Sequence, residues 1–429
     1  MSLNDQIIRS YTEILREELL PAMGCTEPIA IAYAAAILRD ALAFEPQQIR
    51  IGLSGNIIKN VKSVIVPATG GMHGILAAVA AGIVAACPER KLEVLSGLTE
   101  QDQVRIVSYL ETADIKLNEL NTNTPFEIDI TGVANGITAR VHLVHRHTNI
   151  NLVECDGTDL TDRYRTSCEA LHENVRTDRS LLNVQDIVAF AEEVELSELA
   201  PLLHRQIELN MAIAEEGLRN EWGASIGKLL YANGACSLRD RARAYAAAGS
   251  DARMSGSELP VCILSGSGNQ GITASVPVIV YAQEMGVDEE TLLRALLISN
   301  LITVHQKTGI GCLSAYCGAI SAGCGCGCGI AYLHGGRFYE IAHTLVNSVA
   351  ILSGTICDGA KPSCAAKIAM AVEAGIMGFD MMQSGHQFYG GDGIITKGVE
   401  NTIRNVGRLA RDGMSATDRE IIRIMLGEG

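Results

Sequence analysis

The sequence has few aromatic residues and little basic charge. Only 4 % of its 429 residues are Phe, Trp or Tyr, whereas 43 are Gly. A core built mainly from Ala, Val, Ile and Leu, with so much Gly, predicts closely packed helices joined by glycine loops. The formal net charge is −15 and the pI is near 5.2. We therefore expect no nucleic-acid partner, because no basic surface is available to neutralise phosphates.

Long apolar runs are also missing. The first nine residues are too polar for the apolar segment of a secretory signal. Residues 75–87 and 309–333 are apolar, but the first run is too short for the roughly 20 residues of a membrane span and the second is interrupted by Gly, Cys and Ser. We expect both as buried helices of a soluble, cytoplasmic protein without a membrane partner.

Cysteine, in contrast, is abundant. The chain contains 13 Cys, an odd number. A secreted disulfide scaffold of this length would be unusual without a signal peptide. Metal or thiolate chemistry in a reducing compartment accounts better for so many thiols.

Two of these thiols, Cys357 and Cys364, flank a short loop. The loop contains Gly359 and Pro362, which prevent a continuous helix, while the sequence on both sides is apolar at helical spacing. Such a helix–loop–helix can turn both sulfurs toward one point, as an iron–sulfur cluster or zinc requires. The alternative is two buried, unpaired thiols beside a tight turn.

A third thiol, Cys25, follows a predicted amphipathic helix over residues 3–20. Thr26 is a good N-cap and Pro28 suits the first turn of an apolar helix that continues to residue 42. Cys25 then lies at a helix N-terminus, where free backbone N–H groups and the helix dipole lower a thiol pKa. We therefore expect a thiolate there, the alternative being a Cys packed in a turn.

Two glycine-rich loops precede predicted helices and resemble anion sites. Gly70 and Gly71 lie before helix 75–87, and Gly268 lies before helix 272–284. The second loop also has Ser267, Asn269 and Gln270 as hydrogen-bonding groups. Since it lacks the Lys-Ser/Thr of a P-loop, a small carboxylate suits it better than a nucleotide. For each loop, a turn required only by packing is the alternative.

The hydrophobic period changes to two between residues 91 and 156. Strands are predicted at 91–95, 115–120, 126–133, 137–144 and 148–154, after earlier strands at 48–54 and 62–66, and the Asn135-Gly136 pair indicates a hairpin. Helical patterns dominate from residue 184. We predict an α+β fold: a mainly helical catalytic body, residues 1–45 and 180–429, with a smaller α+β subdomain of antiparallel strands, residues 46–179. Residues 163–180 read as a linker or surface helix.

Two further groups of side chains allow two interpretations each. His142, His145 and His147 could bind a metal, but the flanking Arg residues favour a solvated strand face. Cys312, Cys324, Cys326 and Cys328 could form a metal motif, or their small side chains could simply let helices pack closely.

Three motifs, in this order, resemble the L-cysteine desulfidase family, which is related to bacterial iron–sulfur L-serine dehydratases. They are the Met23-Gly24-Cys25-Thr26-Glu27-Pro28 segment, residues 266–271 and the loop 357–364. The resemblance covers essentially the whole chain. It implies an amino-acid lyase without pyridoxal phosphate and an oxygen-sensitive 4Fe–4S cluster held by Cys317, Cys357 and Cys364.

The family's proposed catalytic base matches Cys25, with Glu27 and His73 as alternatives. An iron left open by three thiolates would assist departure of the β-substituent after the α-proton is removed. Cysteine would release sulfide and serine would release water, each leaving pyruvate and ammonia. The substrate-binding residues expected from the motifs are Thr26, Glu27, Gly70, Gly71, Ser267, Gly268, Asn269 and Gln270.

Two other functions stay open at this stage. One is an L-serine or L-threonine dehydratase with the same cluster, and the other is a non-catalytic iron–sulfur or zinc redox sensor. The expected partner is a small amino-acid substrate, and a homo-oligomer is left open.

Overall fold

The computed structural model describes residues 3–165, 177–232, 237–311 and 313–427. Cys312 and residues 166–176 of the predicted linker lie outside this range. The N-terminal part comprises α1 (Asp5–Glu18), β1 (Leu20–Met23), α2 (Thr26–Leu42), β2 (Gln48–Leu53), α3 (Gly55–Val61), α4 (Gly74–Ala85), α5 (Glu100–Thr112), β3 (Asp114–Glu119), β4 (Glu127–Ala134), β5 (Ile137–Val144), β6 (Ile150–Cys155), β7 (Thr158–Asp159) and α6 (Thr161–Tyr164).

Helices make up nearly all of the C-terminal part. Its elements are α7 (Val184–Glu193), α8 (Ala200–Arg219), α9 (Ile226–Ala232), α10 (Leu238–Met254), β8 (Pro260–Ile263), α11 (Gly268–Met285), α12 (Glu289–Ile310), α13 (Gly318–Leu333), α14 (Phe338–Ile351), α15 (Cys364–Gln383), α16 (Val399–Arg408) and α17 (Ser415–Leu426). Of the helices described, none combines the length and the apolar character needed to cross a membrane. The predicted α+β class with a mainly helical body is confirmed.

One mixed sheet contains the strands β2 to β7, in the order β3-β2-β4-β5-β6-β7. β4 and β5 form the predicted hairpin, whose turn residues Asn135 and Gly136 have φ of 52° and 82°, as a two-residue turn between twisted strands requires. Not every pair is antiparallel as expected. β2 and β3 run parallel, because helices α3 to α5 carry the chain back across the sheet before β3 begins.

Two predicted strands are wrong. Residues 62–66 follow helix α3 and contribute only an isolated bridge between Ile65 and His73. Ile57, Ile58 and Val61 are buried at helical spacing. The chain therefore reaches residue 62 as a helix, and residues 62–66 form the turn that follows it. Residues 91–95 fall in and after a 3₁₀ helix, Pro88–Glu93, which begins at a proline.

A second, two-stranded sheet joins distant parts of the chain. β1 pairs antiparallel with β8, with Leu20 opposite Ile263 and Met23 opposite Pro260. This pairing places the segment that begins α2 beside the loop that begins α11. Helix α2 also packs on β4 and β5, so the sheet and the helical body share a core; the division at residues 45 and 180 stays a prediction.

Helix α13 forms the centre of the body and packs against α11, α12, α14 and α15. A Cβ at Gly323 would lie 2.3 Å from the carbonyl oxygen of Ala371 on α15, so the two backbones nearly touch. Cys324, Cys326 and Cys328 are fully buried in this packing. Among the alternatives for these three cysteines, the structure favours close packing over a metal motif.

Candidate functional site

Four helices of the body begin around one cavity of about 100 Å³. Their N-caps are Cys25 for α2, Ser267 for α11, Cys317 for α13 and Ser363 for α15. Each helix start directs backbone N–H groups and the positive end of its dipole toward this region. Eight of the predicted site residues line the cavity: Cys25, Glu27, Ser267, Asn269, Gln270, Cys317, Cys357 and Cys364.

The charges around the cavity favour an anionic ligand. Arg253 and Lys307 line it, and Glu27 is the one carboxylate among its described lining residues. The side chains of Arg253 and Lys307 are almost completely buried, which strengthens their interaction with any ligand there. Helix dipoles and cations together therefore suit a carboxylate or an anionic metal cluster.

The predicted cluster ligands are held at defined places. A short antiparallel bridge fixes Cys317 and Cys357, because the N–H of Cys317 donates to Thr355 O (2.9 Å) and the N–H of Cys357 donates to Ala315 O (2.7 Å). Cys364 is the first residue of α15. Gly359 allows the loop to approach α3 closely: its φ is +93°, and a Cβ there would lie 2.4 Å from Lys59 O.

Hydrogen bonding sets the protonation of the Cys317–Cys357 pair. The hydrogen bond between the side chains of Cys317 and Cys357, with nearby Lys59 and Lys367, lowers the pKa of Cys357 to about 5. The same bond and burial raise the pKa of Cys317, while burial raises that of Cys364. A metal that binds these sulfurs would favour their deprotonated forms.

The donor chemistry of Cys317, Cys357 and Cys364 suits an iron–sulfur cluster. Among the described residues, no three His, Cys, Asp or Glu side chains lie close enough to bind one metal ion. Thiolate is also the ligand that iron–sulfur clusters use.

Near the start of the chain, Cys25 forms a hydrogen-bonded group with Glu27. The Cys25 thiol donates to Glu27 Oε2 at 3.2 Å, and Asn60 Nδ2 donates to Glu27 Oε1 at 2.8 Å. Thr26 Oγ1 lies 3.0 Å from both Glu27 Oε2 and Gly266 O. Thr26 thus stands behind the cavity wall and ties α2 to the second glycine loop.

The expected low pKa of Cys25 is wrong. Burial raises the pKa of the thiol well above its usual range, and the negative charge of Glu27 raises it further. Cys25 is only 3 % exposed, and desolvation of a thiolate outweighs the helix N-terminus. For Glu27, burial acts to raise the pKa, but His147 and the hydrogen bonds from Cys25 and Thr26 together lower it.

Several buried polar atoms of the cavity wall have no hydrogen-bond partner among the residues that the structure describes. They are Arg253 Nε, Asn60 Oδ1 and Gln270 Oε1. Arg253 Nη1 also donates to Asn269 Oδ1 at 3.0 Å. Because unsatisfied buried groups are costly, one donor and two acceptors here indicate a ligand with both an acidic and an NH-bearing group.

Glycine at two helix starts leaves room for polar side chains of the cavity wall. A Cβ at Gly268 would lie 2.3 Å from Arg253 Nε, and one at Gly318 would lie 2.6 Å from the Gln270 side chain. Gly268 therefore admits Arg253 to the cavity. Gly70 and Gly71 do not line it; they form an exposed turn before α4, as does His73 at the start of that helix.

Sequence patterns alone missed Asn60, Arg253 and Lys307. The one available signal was the charged pair Asp251 and Arg253 within an Ala-rich helix, where charge is expected only with a partner. His147 was expected on a solvated face, but it is half-buried against Phe126 and acts on Glu27. His142 instead bonds Glu127 at 3.1 Å and His145 is exposed, so the three histidines do not converge.

Proteins similar to this chain are known. A family model described as serine dehydratase alpha chain matches residues 89–423. A UPF0597 protein of Desulfitobacterium hafniense is 51 % identical over 100 % of this chain and 99 % of its own. A UPF0597 protein of Treponema denticola is 45 % identical over 99 % of this chain and 100 % of its own. One of Fusobacterium nucleatum is 40 % identical over 97 % of this chain and 99 % of its own. The chain therefore belongs to the serine dehydratase alpha chain family and is similar over its full length to UPF0597 proteins.

Proposed function

We propose that this chain is an amino-acid lyase that eliminates the β-substituent of L-cysteine and yields sulfide, ammonia and pyruvate. The observation that carries the proposal is the single cavity where Cys25 and Glu27 meet Cys317, Cys357 and Cys364. Family membership supports a lyase of small amino acids. A cavity of about 100 Å³ also suits such a substrate better than a nucleotide or pyridoxal phosphate, since sites for larger ligands usually exceed about 300 Å³.

Cys317, Cys357 and Cys364 would hold a 4Fe–4S cluster in this proposal. When bound, a cluster with three thiolate ligands supplies an iron with an open position, which acts as a Lewis acid toward the β-substituent. The positive helix ends of α13 and α15 and the nearby Lys59 favour the negative charge of such a centre.

The polar side chains orient the substrate. Arg253, with its unpaired Nε, would bind the α-carboxylate at the start of α11, and the oxygens of Asn60 and Gln270 would accept hydrogen bonds from the amino group. Three contacts fix a small zwitterion in one orientation. In this orientation Cys25, which lines the same cavity, would remove the α-proton as the general base.

The cavity wall also supports cysteine as the substrate. Met254, Leu313 and Ile368 line it beside the cluster ligands. A β-thiol can lie against such side chains without loss, whereas a β-hydroxyl would lose hydrogen bonds with water. L-Serine is the second candidate, because the matching family model is described as serine dehydratase alpha chain.

Anaerobic purification followed by assays on L-cysteine, L-serine and L-threonine tests the proposal. We expect about four irons per chain, as one cluster requires, with sulfide and pyruvate formed from L-cysteine. Cys357→Ala should lose iron and activity together. Cys87→Ala, which changes a half-buried thiol outside the cavity, should keep both. Pyruvate formed from L-serine, with no sulfide released from L-cysteine, would favour the second candidate. Bound iron without turnover of any of the three amino acids would contradict a lyase.

A further inference from the structure

The cavity wall contains three buried side chains with oxygen acceptors. Glu27, Asn60 and Gln270 line the cavity and are at most 8 % exposed. Asn60 Nδ2 donates to Glu27 Oε1 at 2.8 Å, so the amide group of Asn60 lies directly beside the carboxylate. Asn60 Oδ1 and Gln270 Oε1 have no hydrogen-bond partner among the described residues. Because buried acceptors without donors are costly, this wall indicates a ligand group that donates hydrogen bonds.

Glu27 adds a negative charge to these acceptors. Burial acts to raise the pKa of its carboxyl group, but His147 and the hydrogen bonds from Cys25 and Thr26 together lower it. Since even an ordinary Glu, with a pKa of about 4.3, is ionised at neutral pH, Glu27 is a carboxylate there. A charge in a buried wall attracts an opposite charge more strongly than one in water does. The donor that suits this wall is therefore cationic.

We propose that Glu27, Asn60 and Gln270 bind the α-ammonium group of the substrate, and that Glu27 thereby selects α-amino acids against their 2-hydroxy and 2-oxo analogues. An ammonium group offers three N–H donors and one positive charge, which match two amide oxygens and one carboxylate. A hydroxyl group at the same position offers one donor and no charge, and a keto oxygen offers neither. This inference deepens the proposed function, on which its catalytic meaning rests.

The other charged group of an amino acid has a separate partner in the same wall. Arg253 is 3 % exposed, and its Nε has no hydrogen-bond partner among the described residues. Lys307 adds a second cation to the lining. A substrate bound the other way round would bring its carboxylate to Glu27 and its ammonium group to Arg253, and like charges disfavour this. The charges of the wall therefore also fix the direction in which the amino acid binds.

The same site would favour release of the product. Elimination followed by hydrolysis turns the amino acid into pyruvate and ammonia, so the organic product is a 2-oxo acid. Pyruvate keeps the carboxylate that Arg253 would bind, but its keto oxygen is an acceptor and leaves the oxygens of Asn60 and Gln270 without a donor. We therefore expect pyruvate to bind much more weakly than an amino acid of the same size.

This selectivity can be measured without turnover. L-Alanine has an α-ammonium group but no β-substituent that can leave, and L-lactate and pyruvate differ from it only in the group at Cα. Isothermal titration calorimetry on the full-length anaerobic protein gives a dissociation constant for each. We expect L-alanine to bind about 100-fold or more tightly than L-lactate or pyruvate, because a site with buried polar groups rejects analogues that leave them unpaired.

Glu27→Gln should weaken L-alanine binding about 30-fold or more, since it removes one partner of a buried charge pair, and should leave L-lactate binding unchanged. Glu27→Asp keeps the charge but withdraws it by one methylene, and should weaken L-alanine binding by a smaller factor. The matched control is Glu18→Gln. Glu18 is a buried carboxylate outside the cavity, and its partner Arg179 keeps a second bond to Glu17 at 2.6 Å, so this variant should bind L-alanine like the wild type.

Equal wild-type affinity for L-alanine and L-lactate, no binding of either, or unchanged L-alanine affinity in Glu27→Gln would overturn the proposal. If Glu27→Gln does not fold, Glu27→Asp decides the question, because unchanged L-alanine affinity in that variant has the same meaning. Selective L-alanine binding by a protein that converts none of the amino acids tested would refute the proposed function but not the ammonium site. Turnover of L-cysteine without selectivity for L-alanine would refute the ammonium site alone.

Discussion

At the scale of residues, Cys25 shows how burial can reverse the effect of a helix terminus. A helix dipole is worth about 0.3–1 kcal/mol to a charge near its end, whereas complete burial can shift a pKa by about 3–5 units. Cys25 is the N-cap of α2 and also lies inside the protein. The effect of desolvation is therefore larger than that of the helix terminus, and the pKa of the Cys25 thiol is raised.

Replacing Cys25 by Ser should separate the base from the cluster ligands. Cys25→Ser should keep its iron and colour but lose turnover by about 10²–10⁴-fold, the usual effect of removing a positioned base. Iron content measures whether the cluster is kept. Sulfide release and exchange of the substrate's α-hydrogen with deuterium from solvent measure whether the base still acts. Exchange at the wild-type rate would mean that another group is the base.

At the scale of elements, the site depends on where helices begin. α2, α11, α13 and α15 each present a first turn to the cavity, and glycine lets these turns approach one another. The loop of Cys357 and Cys364 is one such case, because a Cβ at Gly359 would lie 2.4 Å from Lys59 O. Any side chain at Gly359 would push this loop away from α3.

Gly359→Ala is therefore expected to lose iron. The new Cβ would stand 2.4 Å from Lys59 O, and the backbone would keep a φ of +93° that L-residues rarely adopt. Gly385→Ala is the matched control: its φ is +76°, but no atom of the described residues lies within 4 Å of the new Cβ. The control should cost about 1 kcal/mol of stability and retain its iron; equal iron in both variants would contradict the argument.

At the scale of the whole molecule, the C-terminal helix holds the site together. α17 packs on α3, where Lys59 is 2 % exposed and its ammonium meets Asp418 at 2.5 Å. Lys62 of the same segment donates to Met425 O. Residues more than 350 positions apart thus fix the helix that lies beneath Gly359.

Asp418→Asn should destabilise the protein, because it leaves the buried ammonium of Lys59 without its counter-charge. Loss of one partner of a buried pair typically costs about 3–5 kcal/mol, and Asp418 is slightly exposed, so we expect the lower value and a fall in melting temperature. Asp412→Asn, in an exposed pair with Arg411, should leave the melting temperature unchanged. An equal melting temperature for both variants would refute a structural role for the Lys59 pair.

The sequence by itself determined the features that depend on neighbouring residues. The start of α2 with Pro28 in its first turn, the Asn135-Gly136 hairpin and the break between Cys357 and Cys364 follow from local backbone preferences. The mainly helical class with a small sheet follows from hydrophobic periods.

Only the tertiary structure decided features that depend on distant residues. The pairing of β1 with β8 brings α2 to α11, and the parallel pair β2–β3 needs a helical crossover. Arg253 and Asn60 enter the cavity through packing that no local pattern encodes, and Gly70 and Gly71 stay outside. The protonation of Cys25 belongs here as well, because a pKa responds to burial and to nearby charges from the whole fold.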